Sequence, residues 1–480
     1  MTAKRAVVVG AGISGLSTAY ALKQAKPDLD VVVVEARNRV GGNIVTERRE
    51  GFLIDGGPDS FLRTKPQAVE LCKELGIDGQ LIAPREEARK VYLVHQGELE
   101  LMSAGMALAV PTRVRPMLTT PLLSFPAKLR MLGDFVKSAP KEQPEDESVA
   151  DFVGRRFGQQ AAEKLASPLL GGIYAGDVSE LSIMSTFPQL VDLERKYGSL
   201  IRGFLTMQLK RAHPEQNGGT PGMFQLLSGW LKEPTEAAPS PFQTLRGGVG
   251  TLITALTERL PRVKTGHGVT AITREGDLWR VVLEGGETID ADGVVLAAPA
   301  HAAARMVPDE KLAADLGGIP YLSTATVFFA FDERTVERGL DGSGFVAPKG
   351  EAKILAGTYV SSKWDDRAPK GSVLVRAFLG GARNEVDVKS ASDDELAGVA
   401  KSELERLMGP LGKPLFSRVF RYVDSNPQPV VGHAARMARV HARLADMPGV
   451  VIAGAAYDGV GIPDCIRQGR TAAEKLAARL

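Results

Sequence analysis

Two short, unbroken apolar runs lie near the start of the chain, Ala6 to Val9 and Val31 to Val34, and the segment between them, about Ile13 to Lys26, reads as a helix. Runs apolar at every position predict strands buried on both faces. The first is followed by Gly10-Ala11-Gly12-Ile13-Ser14-Gly15 and the second ends in Glu35. Strand, glycine turn, helix, strand and acid thus come in the order of a dinucleotide-binding βαβ unit. Further on, Val69, Leu71, Cys72 and Leu75 mark the apolar face of a helix over Pro66 to Leu75, and residues 93–209 show helical periods, several prolines and little strand character. A helix is predicted over Thr251 to Leu260, then strands over Val263 to Ile272, Trp279 to Leu283 and Gly293 to Ala298. A second strand-rich block contains Thr324 to Phe331, Lys353 to Val360 and Ser372 to Leu379 and ends in a helix over Asp393 to Met408. A last strand, Val450 to Ala453, precedes a helix from Ile462 to Ala478. Proline-rich stretches at Ala139–Glu147 and Pro234–Pro241 read as exposed loops.

Each part of the glycine turn has its own task. Gly10 permits a tight turn, Gly12 lets backbone approach a pyrophosphate, and Gly15 lets the helix pack closely on the sheet. The helix start offers free N–H groups and the positive end of its dipole. Glu35 is placed to accept a hydrogen bond from an adenosine ribose hydroxyl. Two further glycine pairs, Gly41-Gly42 and Gly56-Gly57, predict more backbone packed against the same ligand.

A chain of 480 residues suggests two or three domains. Lysine plus arginine at 59 against 57 acids leaves a formal charge of +2, which argues against a nucleic-acid surface. The two cysteines, Cys72 and Cys465, have no partner motif, so no metal site or disulfide framework is expected, and a reducing, cytoplasmic setting is. The first strand begins too close to Met1 to leave room for a signal peptide. The most apolar stretch, Leu99 to Val136, is cut by Arg113, Arg115, Lys128 and Arg130 and by four prolines, so no uncharged run approaches the ~18 residues of a membrane span. Two readings of it stay open: contact with the cytoplasmic face of a membrane, or the lining of a core or greasy channel.

Glu35-Ala36 followed by Arg39-Val40-Gly41-Gly42 resembles the second fingerprint of the FAD-containing amine oxidase superfamily. Within it, Gly171-Gly172-Ile173-Tyr174-Ala175-Gly176-Asp177, Leu193-Glu194-Arg195-Lys196-Tyr197-Gly198-Ser199, Arg246-Gly247-Gly248, Asn426-Pro427-Gln428-Pro429 with Gly432-His433, and Ala455-Ala456-Tyr457-Asp458-Gly459-Val460-Gly461 followed by Cys465 resemble the oxygen-dependent protoporphyrinogen oxidases. These motifs cover nearly the whole chain. The resemblance implies an α/β fold: a discontinuous FAD-binding Rossmann-type domain (1–65, 243–300 and 418–480), an inserted α+β substrate domain (66–92, 210–242 and 301–417) and an inserted, mainly helical domain (93–209) able to touch a membrane. It implies six-electron oxidation of protoporphyrinogen IX to protoporphyrin IX in haem biosynthesis, with FAD as acceptor and molecular oxygen reduced to hydrogen peroxide. Coproporphyrinogen III is the alternative substrate. Another flavin amine oxidase-type activity and a flavin-free module that binds a prenylated partner are the competing classes.

Carried over by residue, Gly10, Ala11, Gly12, Ile13, Ser14 and Gly15 would hold the pyrophosphate, and Glu35 with Ala36 the adenosine. Arg39, Gly42 and Asn43 would approach the pyrophosphate and ribityl chain. Gly57, Pro58, Asp59 and Ser60 would border the flavin, Val269 would meet the adenine, and Ala455, Val460, Gly461 and Ile462 would close the isoalloxazine side. Gly454-Ala455-Ala456-Tyr457 stands where monoamine oxidases bind flavin through a cysteine, so FAD is expected to be non-covalent. No side chain is singled out as a general base; His95, His213, His267, His301, His433 and His441 are scattered. The resemblance offers Gly172 instead, acting through its backbone carbonyl or by making room for the macrocycle. Phe329 and Phe331, which share a strand face, with Phe345, Val346 and Phe378, are the expected walls of the tetrapyrrole slot. Relatives use an arginine for a propionate where this chain has Val91, which leaves Arg89 or Lys90 for that task. A homodimer is the expected assembly.

Overall fold

The computed structural model describes residues 4–102, 105–140, 142, 144–212, 221–231, 240–383 and 385–480. His213 and most of the Pro234–Pro241 loop lie outside them.

The opening unit forms as expected: β1 (Arg5–Val9), α1 (Ile13–Ala25) and β2 (Asp30–Glu35). In chain order the elements that carry the argument are then β3 (Thr46–Arg49), β4 (Phe52–Asp55), β5 (Val91–His95), β6 (Glu98–Leu101), α2 (Val149–Phe157), α3 (Pro188–Tyr197), β7 (Val263–Thr265), β8 (Gly293–Leu296), β9 (Tyr321–Asp332), β10 (Gly344–Val346), β11 (Ala356–Tyr359), β12 (Ser372–Gly380), α4 (Asp393–Met408), β13 (Phe416–Pro427), β14 (Val450–Ile452) and α5 (Ile462–Ala477).

A five-stranded, all-parallel sheet has the order β7-β2-β1-β8-β14. One face, with Ala6, Val8, Val31 and Val33, packs on α1 and α5. The other, with Val7, Val9, Val32 and Val34, packs on an antiparallel layer of Val269–Glu275, Leu278–Leu283 and Thr288–Ala291 and on nearby helices. This double cover is why the strands are apolar at every position. The strand expected over Val263 to Ile272 is two strands in two sheets, because Gly266 turns the chain at φ 74° between them.

A seven-stranded sheet has the order β13-β9-β12-β11-β10-β5-β6. It moves two domain boundaries. Val91–His95 and Glu98–Leu101 belong to this sheet rather than to a helical domain beginning at 93, and Phe416–Pro427 belongs to it rather than to a cofactor segment beginning at 418. The Val91–His95 run is strand by alternation: Tyr92 and Val94 face one side, Leu93 the other.

The helices between Val114 and Leu231 gather around a core that includes Phe152, Phe157, Leu170 and Leu200. Two fully buried acids sit inside it. Asp134 accepts from Arg156 Nε at 2.6 Å, Ser199 Oγ at 2.8 Å and Ile201 N at 3.1 Å. Glu194 accepts from Arg155 at 2.5 and 2.7 Å and lies 3.2 Å from Arg156. Arg156 also donates to Gly198 O at 2.8 Å. The Leu193–Ser199 motif is therefore the structural clamp between α2, α3 and the following helix. The Ala139–Glu147 stretch, of which 141 and 143 lie outside the described residues, ends tied down: Asp146 accepts from Ser182 Oγ at 2.8 Å and Gly432 N at 2.9 Å.

Replacing Arg156 by methionine would leave Asp134 charged in a dry core, a loss of about 3–5 kcal/mol. Chemical denaturation of Arg156→Met should show that loss; a shift below ~1 kcal/mol would mean the clamp is dispensable.

Candidate functional site

The site grows from the end of β1. Gly10 turns the chain at φ 106° and donates its N–H to Val34 O at 2.7 Å. A Cβ at Gly10 would meet Ala297 O at 2.8 Å, and one at Gly15 would stand 2.0 Å from Gly10 O. These two glycines are required by packing. Gly12 is different: a Cβ there would find only Gly42 Cα, at 4.0 Å. Gly12 and Gly41 form a bridge, and Gly41 N donates to Ala11 O at 2.8 Å, so the two glycine segments stand side by side.

No side chain caps α1 at Gly12, and none caps α5 at Gly461. Cys465 lies against Ser14, and a Cβ at Gly469 would stand 2.5 Å from Ser14 O. The two helices therefore lie in backbone contact, with Ile13 and Ser14 beginning one and Ile462 the other. Uncapped N–H groups suit the start of α1 to a phosphate, while the start of α5, with Pro463 and the Asp464 carboxylate in its first turn, closes the same edge of the sheet.

Glu35 Oε2 accepts from Ala11 N at 2.8 Å and Oε1 from Arg37 N at 2.9 Å, and each oxygen keeps a lone pair for a ribose hydroxyl. Ala36 and Arg39 are exposed beside it. His267 N donates to Glu35 O at 2.9 Å, which brings Val269 to the same end of the sheet. Asn43 donates to Ser425 O at 3.3 Å. The loop after Gly454 is pinned by Gln468, whose Nε2 donates to Asp458 O at 3.0 Å and Gly459 O at 3.2 Å. In that loop Ala455 packs on the parallel-sheet core and Val460 on the helical core.

Gly56 to Ser60 crosses from this cradle to the seven-stranded sheet. A Cβ at Gly56 would strike the Phe420 ring at 2.6 Å, and one at Gly57 would stand 1.9 Å from Asn43 O. Pro58 is exposed. Asp59 accepts from Lys363 Nζ at 2.9 Å, Trp364 Nε1 at 3.1 Å and Ser60 Oγ at 2.7 Å. Burial works against its charge, but Lys363 and Arg376 prevail and hold its carboxyl well below the usual range. Buried polar atoms without a partner gather here: Tyr422 OH, Asp55 Oδ2, Arg367 Nε and Arg376 Nε. Tyr422 OH lies 3.2 Å from where a Gly57 Cβ would stand. A cradle that a Cβ would fill, with an orphaned hydroxyl at its far end, fits a long, polar, phosphate-bearing cofactor such as FAD.

The seven-stranded sheet sets the remaining wall. Its registers align Phe420, Thr326, Phe378, Ala356, Val346 and Leu93 in one cross-strand row. At one end Phe420 is covered by the Gly56 loop and at the other Leu93 by the helical core, while Phe378, Ala356 and Val346 between them stay half-buried. Phe378 and Val346 therefore lie on the half-buried stretch of this face, Val346 against the rim of the helical core. Phe329, Phe331 and Phe345 do not. They lie on the opposite face, 2%, 0% and 2% exposed, in a core with Leu396, Ala400 and Leu404 of α4. Arg89 and Lys90 are also displaced from the slot. Arg89 pairs with Glu86 at 2.8 Å and Lys90 with Asp341 at 3.0 Å on the surface, while strand alternation aims Val91 at the slot side. Gly172 ends a π-helix of Ala162–Gly171; it is exposed, and a Cβ there would meet no protein atom within 4 Å. Tyr174, two residues on, lies within electrostatic reach of Asp464 at the start of α5. His433 is buried with a ring nitrogen 3.3 Å from Tyr457 O, and His301 stands edge-on to Tyr321, so both have structural partners.

Sequence reading missed Arg376, Tyr422, and the pairs Asp55–Arg367 and Lys363–Trp364. Arg376 did carry a signal, a single charge inside Ser372-Val-Leu-Val-Arg-Ala-Phe-Leu379.

The family described as flavin containing amine oxidoreductase matches residues 13–477. The chain is 35% identical to coproporphyrinogen III oxidase of Bacillus subtilis over 98% of its own length and 97% of that protein, and 29% identical to the chloroplastic protoporphyrinogen oxidase of Nicotiana tabacum over 96% and 83%. A crystal structure from Exiguobacterium sp. 255-15, of a protein provisionally named a protoporphyrinogen oxidase, superimposes with a TM-score of 0.85 and 32% identity over the whole of both chains.

Asp55, 4% exposed, accepts from Thr46 Oγ1 at 2.5 Å and Val249 N at 3.0 Å, and burial pushes its carboxyl up to about 6 against the pull of Arg367. Its proton is held more tightly in the fold than in the unfolded chain, so its contribution is complete below 3.8 and is lost as pH rises through about 6. Relative to Asp55→Asn, the wild type should lose on the order of 3 kcal/mol across that window and nothing further above it. Thermal melts of both proteins against pH check this; parallel curves would contradict it.

Proposed function

The chain belongs to the flavin containing amine oxidoreductase family, and on that ground we propose that it is an FAD-dependent porphyrinogen oxidase of haem biosynthesis. Its substrate is coproporphyrinogen III, its product coproporphyrin III, and molecular oxygen, reduced to hydrogen peroxide, is the final acceptor. Three relatives that bear on this choice carry the coproporphyrinogen name, from Bacillus subtilis, Staphylococcus aureus and Propionibacterium freudenreichii. Protoporphyrinogen IX, the substrate first expected, is the second reading, favoured by the Nicotiana relative.

The observation that supports the proposal is the half-buried row of Phe378, Ala356 and Val346 between the Gly56–Ser60 loop and the helical core: apolar and without an ionisable group along that stretch. FAD supplies the acceptor for a hydride, and removal of three hydrides and three protons converts porphyrinogen to porphyrin. The pyrrole nitrogens of the substrate supply the electron push, so the protein needs to position the methylene bridge and exclude water rather than take a proton itself. Gly10 to Gly15 with Gly42 hold the pyrophosphate in this reading. Glu35, Ala36 and Val269 hold the adenosine, Arg39 and Asn43 approach the ribityl chain, and Gly57 to Ser60 with Ala455, Val460, Gly461 and Ile462 enclose the flavin ring without a covalent bond. Gly172 acts sterically: since no protein atom requires a glycine there, the space in front of it belongs to the macrocycle.

Carboxylate recognition moves away from Val91. Along the same face, a cavity of about 170 Å³ is lined by Leu93, His95, Leu122, Glu163, Lys164, Pro348, Lys349 and Glu351. Glu351 is engaged by Gly97 N at 3.3 Å and Glu163 by Gln159 at 2.9 Å. That leaves the amines of Lys164 and Lys349 for an incoming carboxylate. Three strand spacings of about 4.8 Å separate Phe378 from Leu93, so the lysines lie at the far end of the row from the Gly56–Ser60 loop.

A second surface reading concerns lipid. Among the described residues no helix is long and apolar enough to cross a membrane. Yet Met223, Phe224, Leu227 and Leu231 project from one short helix, and Leu118, Phe125 and Leu129 from two near it, with Phe224 83% and Phe125 66% exposed. Lys128 and Arg130 accompany them. This face rests on an anionic bilayer in our proposal.

Anaerobic mixing with coproporphyrinogen III should bleach the flavin and yield porphyrin fluorescence; in the Lys164→Ala, Lys349→Ala variant half-maximal bleaching should need severalfold more substrate at an unchanged limiting rate. A yellow protein reduced by an amine but by neither porphyrinogen would sink the assignment. The lipid reading predicts flotation with phosphatidylglycerol vesicles at low salt, weakened by salt and by Phe224→Ser; protein left at the bottom of the gradient at low salt would refute it.

A further inference from the structure

One charged side chain of the seven-stranded sheet faces the slot side yet is sealed from solvent. Arg376, at the centre of β12, is 4% exposed. It is Cα-paired with Phe328 on one side and Thr358 on the other, in the row next to that of Phe378, and so points to the face that carries the Gly56 loop. Its guanidinium donates to Gly56 O at 3.0 Å and Gly57 O at 2.7 Å. The Phe378 ring lies 4.1 Å from its central carbon and the Phe328 ring 5.2 Å. Its Nε has no partner. A guanidinium keeps its charge under such burial, so a full positive charge is fixed directly beneath the loop.

That charge is offset only in part, by Asp59 and Asp55. Arg376, Arg367 and Lys363 are three cations around the loop, each buried or nearly so. Against them stand Asp59, paired to Lys363, and Asp55, 3.5 Å from Arg367, whose carboxyl is pushed up to about 6. Burying more cations than anions is costly unless a further negative charge comes to the site. Two electrons and one proton turn an oxidised flavin into an anion, whose charge would supply that partner.

We propose that Arg376 is a positioning residue for the cofactor: it fixes the Gly56–Ser60 loop through both carbonyls and leaves a net positive charge there that stabilises the reduced flavin. The proposal rests on the reading of Gly57 to Ser60 as the loop that borders the ring. By its sign, the charge draws electrons from the porphyrinogen and slows their loss.

The test uses the holoenzyme and sulfite as the probe. Sulfite donates its lone pair to the flavin N5, forms a nitrogen–sulfur bond and leaves a negative charge on the ring, so its affinity reports the local potential without turnover. Arg376→Gln should keep FAD at or near full occupancy and bind sulfite at least tenfold more weakly, with a two-electron midpoint lower by about 30 mV per factor of ten. Arg376→Lys, which keeps the charge, should stay within about threefold of the wild type. Asp59→Asn, which removes a compensating anion, should change the affinity in the opposite direction and tighten it severalfold. Opposite signs from two substitutions in one cluster are not expected from general damage to the loop. Unchanged sulfite affinity in Arg376→Gln and Asp59→Asn, or weakening in both, would overturn the proposal. Should Arg376→Gln lose its FAD, Asp59→Asn decides alone, tightening in support and no change against. A wild type that binds no FAD would instead defeat the cofactor reading.

Discussion

The structure depends on how closely one helix is allowed to come to its neighbours. Helix Ile13–Ala25 touches β1 through Gly15 against Gly10 O and touches α5 through Ser14 O against Gly469, and at neither contact is there room for a methyl group. Because backbones meet without intervening side chains, the start of α1 and the start of α5 are held at one edge of the parallel sheet. A bulkier residue at any of these points would separate the two uncapped helix ends and with them the phosphate cradle. Residues far apart in sequence thus form one rigid floor.

The seven-stranded sheet acts as a partition. Its one face is closed by α4 and carries large aromatic residues only as core. Its other face is divided among the β3–β4 hairpin and Gly56 loop, the helical core, and the open row between them. The Gly56–Ser60 loop and the half-buried row of Phe378, Ala356 and Val346 are therefore two parts of one surface. Arg376 and Phe378, two residues apart on a single strand, do different things: the first holds the backbone of the Gly56 loop and the second, stacked on it, stays half-buried beside that loop. A change that shifts β12 by one residue would exchange both for core side chains.

Much of this was legible in the sequence. The glycine turn, Glu35, the returning strand at Val450 and the helix at Ile462 all stand within a residue or two of expectation, because they rest on local spacing and on glycines that packing makes obligatory. The slot was only half legible. Alternation shows that Phe329 and Phe331 share a side, but which side is sealed depends on α4, whose contact with the sheet is non-local. The same limit explains Lys90, whose alternation with Val91 turns it to Asp341. Val91–His95 forms a hairpin with Glu98–Leu101, but what places it in this sheet is its pairing with Gly344–Val346, some 250 residues away in sequence. Arg376 was visible as an anomaly but not as a function, since its meaning lies in the two carbonyls it reaches.

The parallel sheet also sets an order of events during synthesis. Strand β8 is flanked by β1 and by β14, and β14 and α5 are the last elements of the chain. Until Val450 and the residues after it leave the ribosome, β8 presents an unpaired edge and α1 an uncovered apolar side, both of which invite association with other chains. The sheet edge has only one of its two helix ends during that interval. Assembly of that edge thus waits for Ile462 and the residues after it, and a nascent chain that stalls just before them has as incomplete an edge as one that stalls early, with far more sticky surface to shield.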